Sequence, residues 1–317
     1  RRERQDRERR DKKGPKIVGP GCFYVDQGFY SYFKYPVELG KGSFGAVYSA
    51  SLTALGKQLL PNLPDTIAVK TITIPSRHEA LLLNEINILL KTQGLKRCVQ
   101  YYGCMMPPAD PFKDTITVWV VMELIQGTAL SSISKRSLEF NKSVIRQLAA
   151  ALQEIHEVGV VHHDIKPANI MIISSPGKPP ILKLIDFGLA CLMDGDKGYP
   201  NSHCPVTGGT IDFFDQSLVT LDRDRSKISF DKLIASDWYS FGQTILWLFT
   251  DHTVNYQQRK TLYPPPKFDL LNLTLKMLED IGLPKSWCPM VHKLTKIAQP
   301  YAGRPIPTDI IDTVNQD

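Results

Sequence analysis

The stretch VVHHDIKPANIMI, residues 160–172, sets three polar side chains in a fixed order between two apolar runs. Asp164 is followed by Lys166 and then by Asn169. A carboxylate in such a loop can accept a hydroxyl proton and orient a nucleophile, an ammonium can neutralise a transferred phosphoryl group, and an amide oxygen can bind a hard cation. Ordinary capping and turn residues could produce the same pattern, so its meaning depends on the rest of the chain.

A glycine-rich stretch, GKGSFG at residues 40–45, lies upstream of that loop. Glycines allow backbone amides to approach phosphate oxygens closely. In a dinucleotide-binding fingerprint a helix begins directly after the third glycine, whereas AVYSASL, residues 46–52, indicates a strand. We therefore predict a turn between two strands that folds over a nucleotide, with a simple tight hairpin as the alternative.

Lys70 lies within the predicted strand TIAVKTITI, residues 66–74. An ammonium among apolar residues is costly unless it has a partner. We expect that partner to be Glu85, because it stands within the apolar periodicity of the predicted helix at residues 77–92. Glu79 is the alternative. A surface pair would contribute little to stability, whereas a buried pair would hold the ammonium against phosphate oxygens.

A further motif, Asp186-Phe187-Gly188, follows the apolar run ILKLI of residues 181–185. A carboxylate at the end of a buried strand suits Mg²⁺, although Asp-Phe-Gly alone is also a common turn. The order of the motifs is more specific than any one of them. The chain has a glycine-rich turn, a strand lysine, a helix glutamate, an Asp-x-Lys-x-x-Asn loop and an Asp-Phe-Gly, in that sequence.

Over roughly residues 35–310 the chain thereby resembles the protein kinase superfamily. The resemblance implies an α+β, bilobal protein kinase fold, with a small β-rich N-lobe carrying one helix and a larger, mainly helical C-lobe. It divides the sequence into a basic disordered tail at 1–16, an N-terminal extension at 17–34, the N-lobe at 35–125 and the C-lobe at 126–317.

The resemblance also implies a site for ATP. Gly40, Gly42 and Gly45 would cover its phosphates. The other nucleotide-binding residues of this stretch would be Leu39, Lys41, Ser43 and Phe44. Lys70, braced by Glu85, would hold the α- and β-phosphates. The adenine would be enclosed and bonded by Val47, Ala68, Met122 as gatekeeper, the hinge from Glu123 to Ile125, and Met171 from below.

The remaining implied roles concern catalysis. Asp164 would be the catalytic base, assisted by Lys166. Asn169 and Asp186 would hold Mg²⁺. Asp237 would tie the catalytic loop to the core of the large lobe.

Two departures from the family pattern bear on regulation. His163 stands where many members have an Arg that needs a phosphate on the activation segment; a His can be neutral at pH 7 and carries no such requirement. In GTIDFFDQS, residues 209–217, Gln216 and Ser217 replace the usual Pro-Glu. The Glu normally pairs with a late Arg, here Arg304, for which Asp215 is a substitute candidate.

The predicted acceptor is a Ser or Thr hydroxyl. Lys166 matches loops of the Ser/Thr type, and Thr210 could bridge Asp164 and Lys166. Several stretches, among them LKLIDFG and SKIS, are similar to the monopolar-spindle checkpoint kinases, a family of dual specificity. The alternatives are a pseudokinase scaffold, favoured only by the altered segment at 209–217, and a small-molecule kinase of related fold.

Composition adds further expectations. The tail, residues 1–16, holds nine Lys/Arg and four Asp/Glu, so nearly all of the net charge of +6 lies there. We expect a solvated arm, with docking or nucleic-acid contact as the alternative. No apolar run is long enough to span a membrane. The six scattered cysteines predict reduced thiols and an intracellular chain, and the missing initiator Met suggests part of a longer protein.

Overall fold

The computed structural model describes residues 17–19, 21–42, 45–108, 112–193, 204, 209–210, 212–215, 218, 228–250, 274–295 and 307–316. The chain divides into two compact units. The first comprises Arg1–Leu83 with Val99–Ile125, and the second Asn84–Cys98 with Gln126–Asp317.

The first unit is built on a seven-stranded sheet among its described residues. Its strands are β1 Ile17–Gly19, β2 Cys22–Tyr24, β3 Phe33–Gly42, β4 Gly45–Leu52, β5 Ile67–Pro75, β6 Tyr101–Met106 and β7 Thr115–Met122. Their order is β1-β2-β6-β7-β5-β4-β3. All neighbours are antiparallel except β2 and β6, which are parallel. Residues before the glycine-rich stretch thus extend the sheet by two strands at one edge.

Two short helices lie between these strands, α1 at Phe29–Tyr32 and α2 at Ala54–Leu59. The second lies within residues 53–65, where one glycine and two prolines predict a surface loop. That prediction is wrong for Ala54–Leu59. The Thr53 hydroxyl accepts a hydrogen bond from the Gly56 amide and caps the helix. Gly56 packs so closely that a Cβ there would lie 2.5 Å from the Tyr32 carbonyl oxygen. Glycine at position 56 therefore permits close packing against Tyr32 and does not form a turn.

Helix α3, Glu79–Lys91, matches the helix predicted from apolar spacing. Leu82, Ile86 and Leu89 are buried, as that spacing requires. The division between the two units falls within this helix, after Leu83.

The second unit is mainly helical. Its helices are α4 Leu138–Glu157, α5 Phe230–Thr250, α6 Leu275–Asp280, α7 Cys288–Leu294 and α8 Pro307–Gln316. Its short strands are β8 Thr128–Ala129, β9 Val160–Val161, β10 Ile170–Ile173, β11 Ile181–Leu184 and β12 Cys191–Leu192. They form a three-stranded sheet of order β11-β10-β8 and a separate β12-β9 pair.

Helices α4 and α5 form much of the core of the second unit. Helix α4 starts at a Ser137 cap, and the backbone turns away at Gly159, whose φ is +75°. Helix α5 is buried on nearly all sides, which explains its apolar composition. No helix among the described residues is long and apolar enough to cross a membrane.

The cysteines differ from prediction. Disulfides join Cys22 to Cys104 and Cys191 to Cys204, while Cys98 and Cys288 are buried thiols. The prediction that all six are reduced is therefore wrong for the four bonded residues. Separations of 82 and 13 residues carry no recognisable signature in the sequence. The pairing of β2 with β6 brings Cys22 and Cys104 together, whereas Cys204 lies outside the strands. The expectation of an intracellular chain loses this support.

Candidate active site

The loop between β9 and β10 carries Asp164, Lys166 and Asn169. It ends in a 3-10 turn, Pro167–Asn169. Asp164 and Asn169 are both buried. The Asn169 Nδ2 donates to the backbone oxygen of Asp164 at 2.9 Å and to its Oδ2 at 2.8 Å. The loop therefore closes on itself, and the amide oxygen of Asn169 is the atom left for a cation.

Thr210 connects the two catalytic candidates. Its amide and its hydroxyl donate to Asp164 Oδ1, at 2.9 and 2.8 Å. The Lys166 Nζ donates to the Thr210 Oγ1 at 2.5 Å and lies 2.7 Å from Asp164 Oδ2. The predicted bridge by Thr210 between Asp164 and Lys166 is confirmed.

The surroundings of Asp164 keep it ionised. Burial alone would raise the pKa of this carboxyl, but hydrogen bonds from Lys166 and Thr210, with the charge of Lys166, hold its pKa below the usual value. A carboxylate of low pKa is a weak base at neutral pH. Its strength lies in orienting a hydroxyl nucleophile beside a cation, which is the positioning role that phosphoryl transfer requires.

Asp237 anchors the start of the loop from α5. This fully buried carboxylate accepts from the backbone amides of His162 and His163, each at 2.8 Å, and lies 2.9 Å from the Nε2 of His156. Burial would raise the pKa of Asp237, but the hydrogen bond and charge of His156 hold it below its usual value. His163 has a left-handed backbone with φ of +66°, an uncommon conformation for a non-glycine residue. The hydrogen bonds that the His162 and His163 amides donate to Asp237 stabilise this backbone conformation.

His156 was missed by the sequence analysis. A signal was present, because His156 stands four residues after the buried Leu152 and so lies on the same face of α4. His162 has a separate role. Its Nε2 donates to the Ile185 carbonyl at 3.0 Å while its Nδ1 accepts from the Asp164 amide at 3.3 Å, which together specify the tautomer.

The metal-ligand candidates lie at one end of the β10–β11 hairpin. Ile170 pairs with Leu184, and the Ile185 amide donates to the Asn169 carbonyl at 3.0 Å. Asp186, the next residue, has a left-handed backbone with φ of +63°. One carboxylate and one amide oxygen suit Mg²⁺, which usually completes its shell with waters and substrate phosphates. The residues present therefore fit the ion that the sequence implies.

The segment after Asp186 also contacts α3. The ring of Phe187 lies 4.8 Å from that of His162, and Asn84 Nδ2 donates to the Ala190 carbonyl at 3.4 Å. The Leu184 amide donates to the Arg97 carbonyl at 2.7 Å. Glu85, next to Asn84, is half-buried and lies in the middle of α3.

In the first unit, four candidates share one face of the sheet. Val47 pairs with Lys70, and Ala68 pairs with Met122. Paired residues of antiparallel strands point to the same side, and so do residues two apart on one strand. Val69 points the other way, into the apolar core. The structure thus presents an ammonium beside three apolar side chains on one surface.

The glycine-rich hairpin joins that surface at its edge. Gly40 pairs with Val47, and Gly42 pairs with Gly45. A Cβ on Gly45 would lie 1.7 Å from the Thr71 carbonyl oxygen, so that only glycine fits there. The flanking Leu39 and Lys41 are exposed. Ser43 and Phe44 lie outside the described residues, as do the tail at 1–16, Gln216, Ser217 and Arg304.

The hinge candidates follow β7. The Glu123 amide donates to the Gln100 carbonyl at 2.8 Å, and Glu123 Oε2 accepts from the Gln100 amide at 3.2 Å. Ile125 is half-buried. Met171 lies at the centre of the three-stranded sheet of the second unit, opposite Lys183. The roles of these residues toward adenine stay predictions.

A sheet with a glycine-rich hairpin and a strand lysine, together with a helical unit that assembles an Asp–Lys–Asn loop, defines the α+β fold of a protein kinase. The chain belongs to that family. The family model described as "Protein kinase domain" matches residues 33–280.

Similar proteins include serine/threonine-protein kinases. The chain is 33% identical over 158 residues to serine/threonine-protein kinase sid1 of Schizosaccharomyces pombe, which is 48% of this chain and 30% of that protein. It is 33% identical over 177 residues to CDPK-related kinase 7 of Arabidopsis thaliana, covering 53% and 28%. Against serine/threonine-protein kinase Pkn1 of Myxococcus xanthus it is 28% identical over 190 residues, covering 59% and 25%. The chain thus matches less than a third of the length of these relatives. The narrower similarity to monopolar-spindle checkpoint kinases stays a prediction.

Proposed function

We propose that the chain transfers the γ-phosphoryl group of ATP to Ser and Thr hydroxyls of protein substrates. The observation that carries this proposal is the triangle of Asp164, Lys166 and Thr210. It sets an acceptor for a hydroxyl proton beside a cation for the transferred group. The names of sid1 and Pkn1 as serine/threonine-protein kinases agree with that acceptor.

Each residue has a distinct task in this reaction. Asp164 accepts a hydrogen bond from the substrate hydroxyl and orients its oxygen, and Lys166 neutralises charge on the group in transfer. Asn169 and Asp186 hold Mg²⁺, which when bound neutralises the phosphates of ATP. Because Asp164 is already fixed by Asn169 and Thr210, little reorganisation is needed when substrate arrives.

ATP is held by the remaining candidates. The glycine-rich hairpin covers the phosphates with its amides, and Lys70, braced by Glu85, holds the α- and β-phosphates. Val47, Ala68 and Met171 enclose the adenine, with Met122 as gatekeeper. A Lys70→Met variant should lose ATP affinity while keeping its fold, and unchanged affinity would argue against this role.

Activity does not require a phosphate on the activation segment. His163 is buried, and its ring lies 5.6 Å from that of Phe214, edge to face. Thr210 is committed to Asp164. Replacing Tyr199 with Phe, and Ser202 and Thr207 with Ala, should leave most activity. A fall to background would refute this part of the proposal.

The acceptor is tested with a peptide library that contains Ser, Thr and Tyr in matched contexts. Incorporation of label from γ-labelled ATP should occur at Ser and Thr, with an Asp164→Asn variant as the blank. Label on Tyr alone would overturn the Ser/Thr assignment, and label on all three would favour dual specificity.

The alternative is a pseudokinase scaffold that binds nucleotide without efficient turnover. What favours it is the altered sequence at residues 209–217, where Asp215 is buried. This alternative expects Mg·ATP binding with turnover no faster than that of Asp164→Asn. The intact set of Lys70, Asp164, Asn169 and Asp186 favours the enzyme.

The parts of the chain follow the family pattern. We assign residues 35–125 to the small lobe, 126–317 to the large lobe and 17–34 to an extension. We expect the basic stretch 1–16 to be a solvated arm, with docking or nucleic-acid contact as the alternative. Under that alternative, deleting the stretch should weaken binding to a labelled oligonucleotide at low salt and leave kinase turnover unchanged.

A further inference from the structure

The Cys191–Cys204 disulfide lies beside the catalytic loop. Cys191 is on β12, directly opposite Val161, the residue that precedes His162. Cys204 belongs to the segment between Asp186 and Thr210. The two Cα atoms are 4.8 Å apart, within the range that a disulfide needs, and both side chains are buried.

An apolar cluster joins the disulfide to the residues that hold Asp164. The cluster contains both cysteines, Val161 and Phe214. Phe214 in turn packs edge to face on His163. A Cβ on Gly209 would lie 2.8 Å from the Phe214 ring and 3.2 Å from the His163 carbonyl oxygen. Thr210, the next residue, therefore sits where this cluster meets the catalytic loop.

We propose that Cys191 and Cys204 form a thiol–disulfide control site, and that the disulfide holds the segment in the arrangement that places Thr210 on Asp164. Where an Arg before the base would bind a phosphate, this chain has His163, whose ring packs edge to face on Phe214. A covalent bond fixes the segment instead. This inference rests on the proposed kinase function for its effect on rate, but not for the bond itself.

A dithiol reduces this disulfide in a two-electron exchange. The S–S bond breaks, each sulfur gains one electron and one proton, and the dithiol is oxidised to its own disulfide. Because both sulfurs are buried, exchange requires local opening of the segment and is slow compared with that of an exposed disulfide.

The experiment compares oxidised and dithiothreitol-reduced protein. Alkylation and mass spectrometry should show Cys191 and Cys204 joined before reduction and free afterwards. Reduction should speed hydrogen exchange at the Thr210 amide and lower kinase turnover by roughly tenfold or more. The reason is that the loop closed by Cys191 and Cys204 restricts the conformations that this part of the chain can adopt, and reduction removes that restriction. Reoxidation should restore both.

Two double variants separate the effects of the two disulfides. Cys22→Ala/Cys104→Ala should keep the full response to reductant. The Cys191→Ala/Cys204→Ala variant should have slow kinase turnover in both conditions, and its melting temperature shows whether it is folded.

Free thiols at both positions in oxidised protein, or hydrogen exchange at the Thr210 amide of the wild type that is unchanged by reduction, would overturn the proposal. If exchange changes but no turnover is seen in any sample, the kinase function fails and the bond stands. If turnover is normal and insensitive to reduction, the control fails and the kinase function stands.

Discussion

Thr210 has an influence on Asp164 beyond holding it in place. The Thr210 hydroxyl and the Thr210 amide both donate hydrogen bonds to Oδ1 of Asp164. The hydrogen bond from the hydroxyl helps to lower the pKa of Asp164. A hydrogen bond to a charged group contributes about 1.5–3 kcal/mol. The low pKa is therefore partly a property of the neighbouring segment.

A Thr210→Val variant tests this link, because it removes the hydroxyl and keeps the shape. With one donor lost, the pKa of Asp164 rises toward its ordinary value, so that the acid limb of the pH profile of kcat/KM moves to higher pH. We also expect kcat to fall by about tenfold. Steady-state rates below about pH 5, taken down to the lowest pH at which the protein stays folded, provide the measurement. Thr210→Ser is the control that keeps the hydroxyl. An acid limb that stays in place in the Val variant would contradict the assignment.

At this scale the sequence predicts what is local. Asp164, Lys166 and Asn169 lie within one short loop, so their proximity follows from the chain itself. The Thr210 bridge was predicted through family resemblance. The left-handed backbone of His163 was not, because it is imposed by Asp237 from another helix.

Helix α5 acts on the catalytic loop through a single carboxylate. Asp237 satisfies two backbone amides of the loop and faces His156 of α4, so that one buried charge joins three segments. Removing one partner from such a group is costly because it leaves the others buried and unsatisfied.

An Asp237→Asn variant should lose about 3 kcal/mol of unfolding free energy. The pKa of Asp237 is lower in the folded state, so its contribution is complete above the unfolded-state pKa of about 3.9 and is lost as the pH falls through the folded-state value. The variant should therefore also show a shallower loss of stability in acid. Urea unfolding at neutral and acid pH gives both quantities.

The matched control is Asp231→Asn, an exposed position in the first turn of the same helix, which should change stability by less than about 0.5 kcal/mol. Equal effects of the two substitutions would show that Asp237 is not an anchor.

Elements with strong periodicity were predictable. Helix α3 and helix α4 follow from apolar residues at helical spacing and from Gly159 after the last turn. Helix α2 could not be predicted in this way. Its six residues include a glycine and have a loop-like composition, and they form a helix only because Thr53 caps it and Tyr32 packs against Gly56. The short α1 was hidden in the same way, because the aromatic-rich residues 22–33 favour a strand or hairpin.

Across the whole molecule, each compact unit contains one disulfide among its described residues. The Cys22–Cys104 bond joins the added strand β2 to β6, and its two cysteines are separated by 82 positions in the sequence. It crosslinks the extension to the kinase sheet. No spacing rule predicts this pair, because it depends on the parallel pairing of two strands far apart in sequence.

Breaking this bond should loosen the added strands. We expect Cys22→Ala/Cys104→Ala to lose roughly 3–4 kcal/mol, chiefly because its unfolded state is no longer closed into a large loop. Amides of β2 should exchange with solvent faster than in wild type. Cys288→Ala removes a buried thiol without breaking a disulfide and serves as the control for lost packing. If the two variants melted alike, the bond would have no stabilising role.

The central claim is that Asp164 orients a hydroxyl for attack on Mg·ATP. The most direct measurement is the rate of γ-phosphoryl transfer to a protein substrate by wild type and by Asp164→Asn, with Mg·ATP binding measured on the same samples. The account predicts equal affinity for Mg·ATP and a rate lower by roughly 10²–10⁴ in the variant. Equal rates in the two proteins, or no transfer by wild type that binds Mg·ATP, would contradict it.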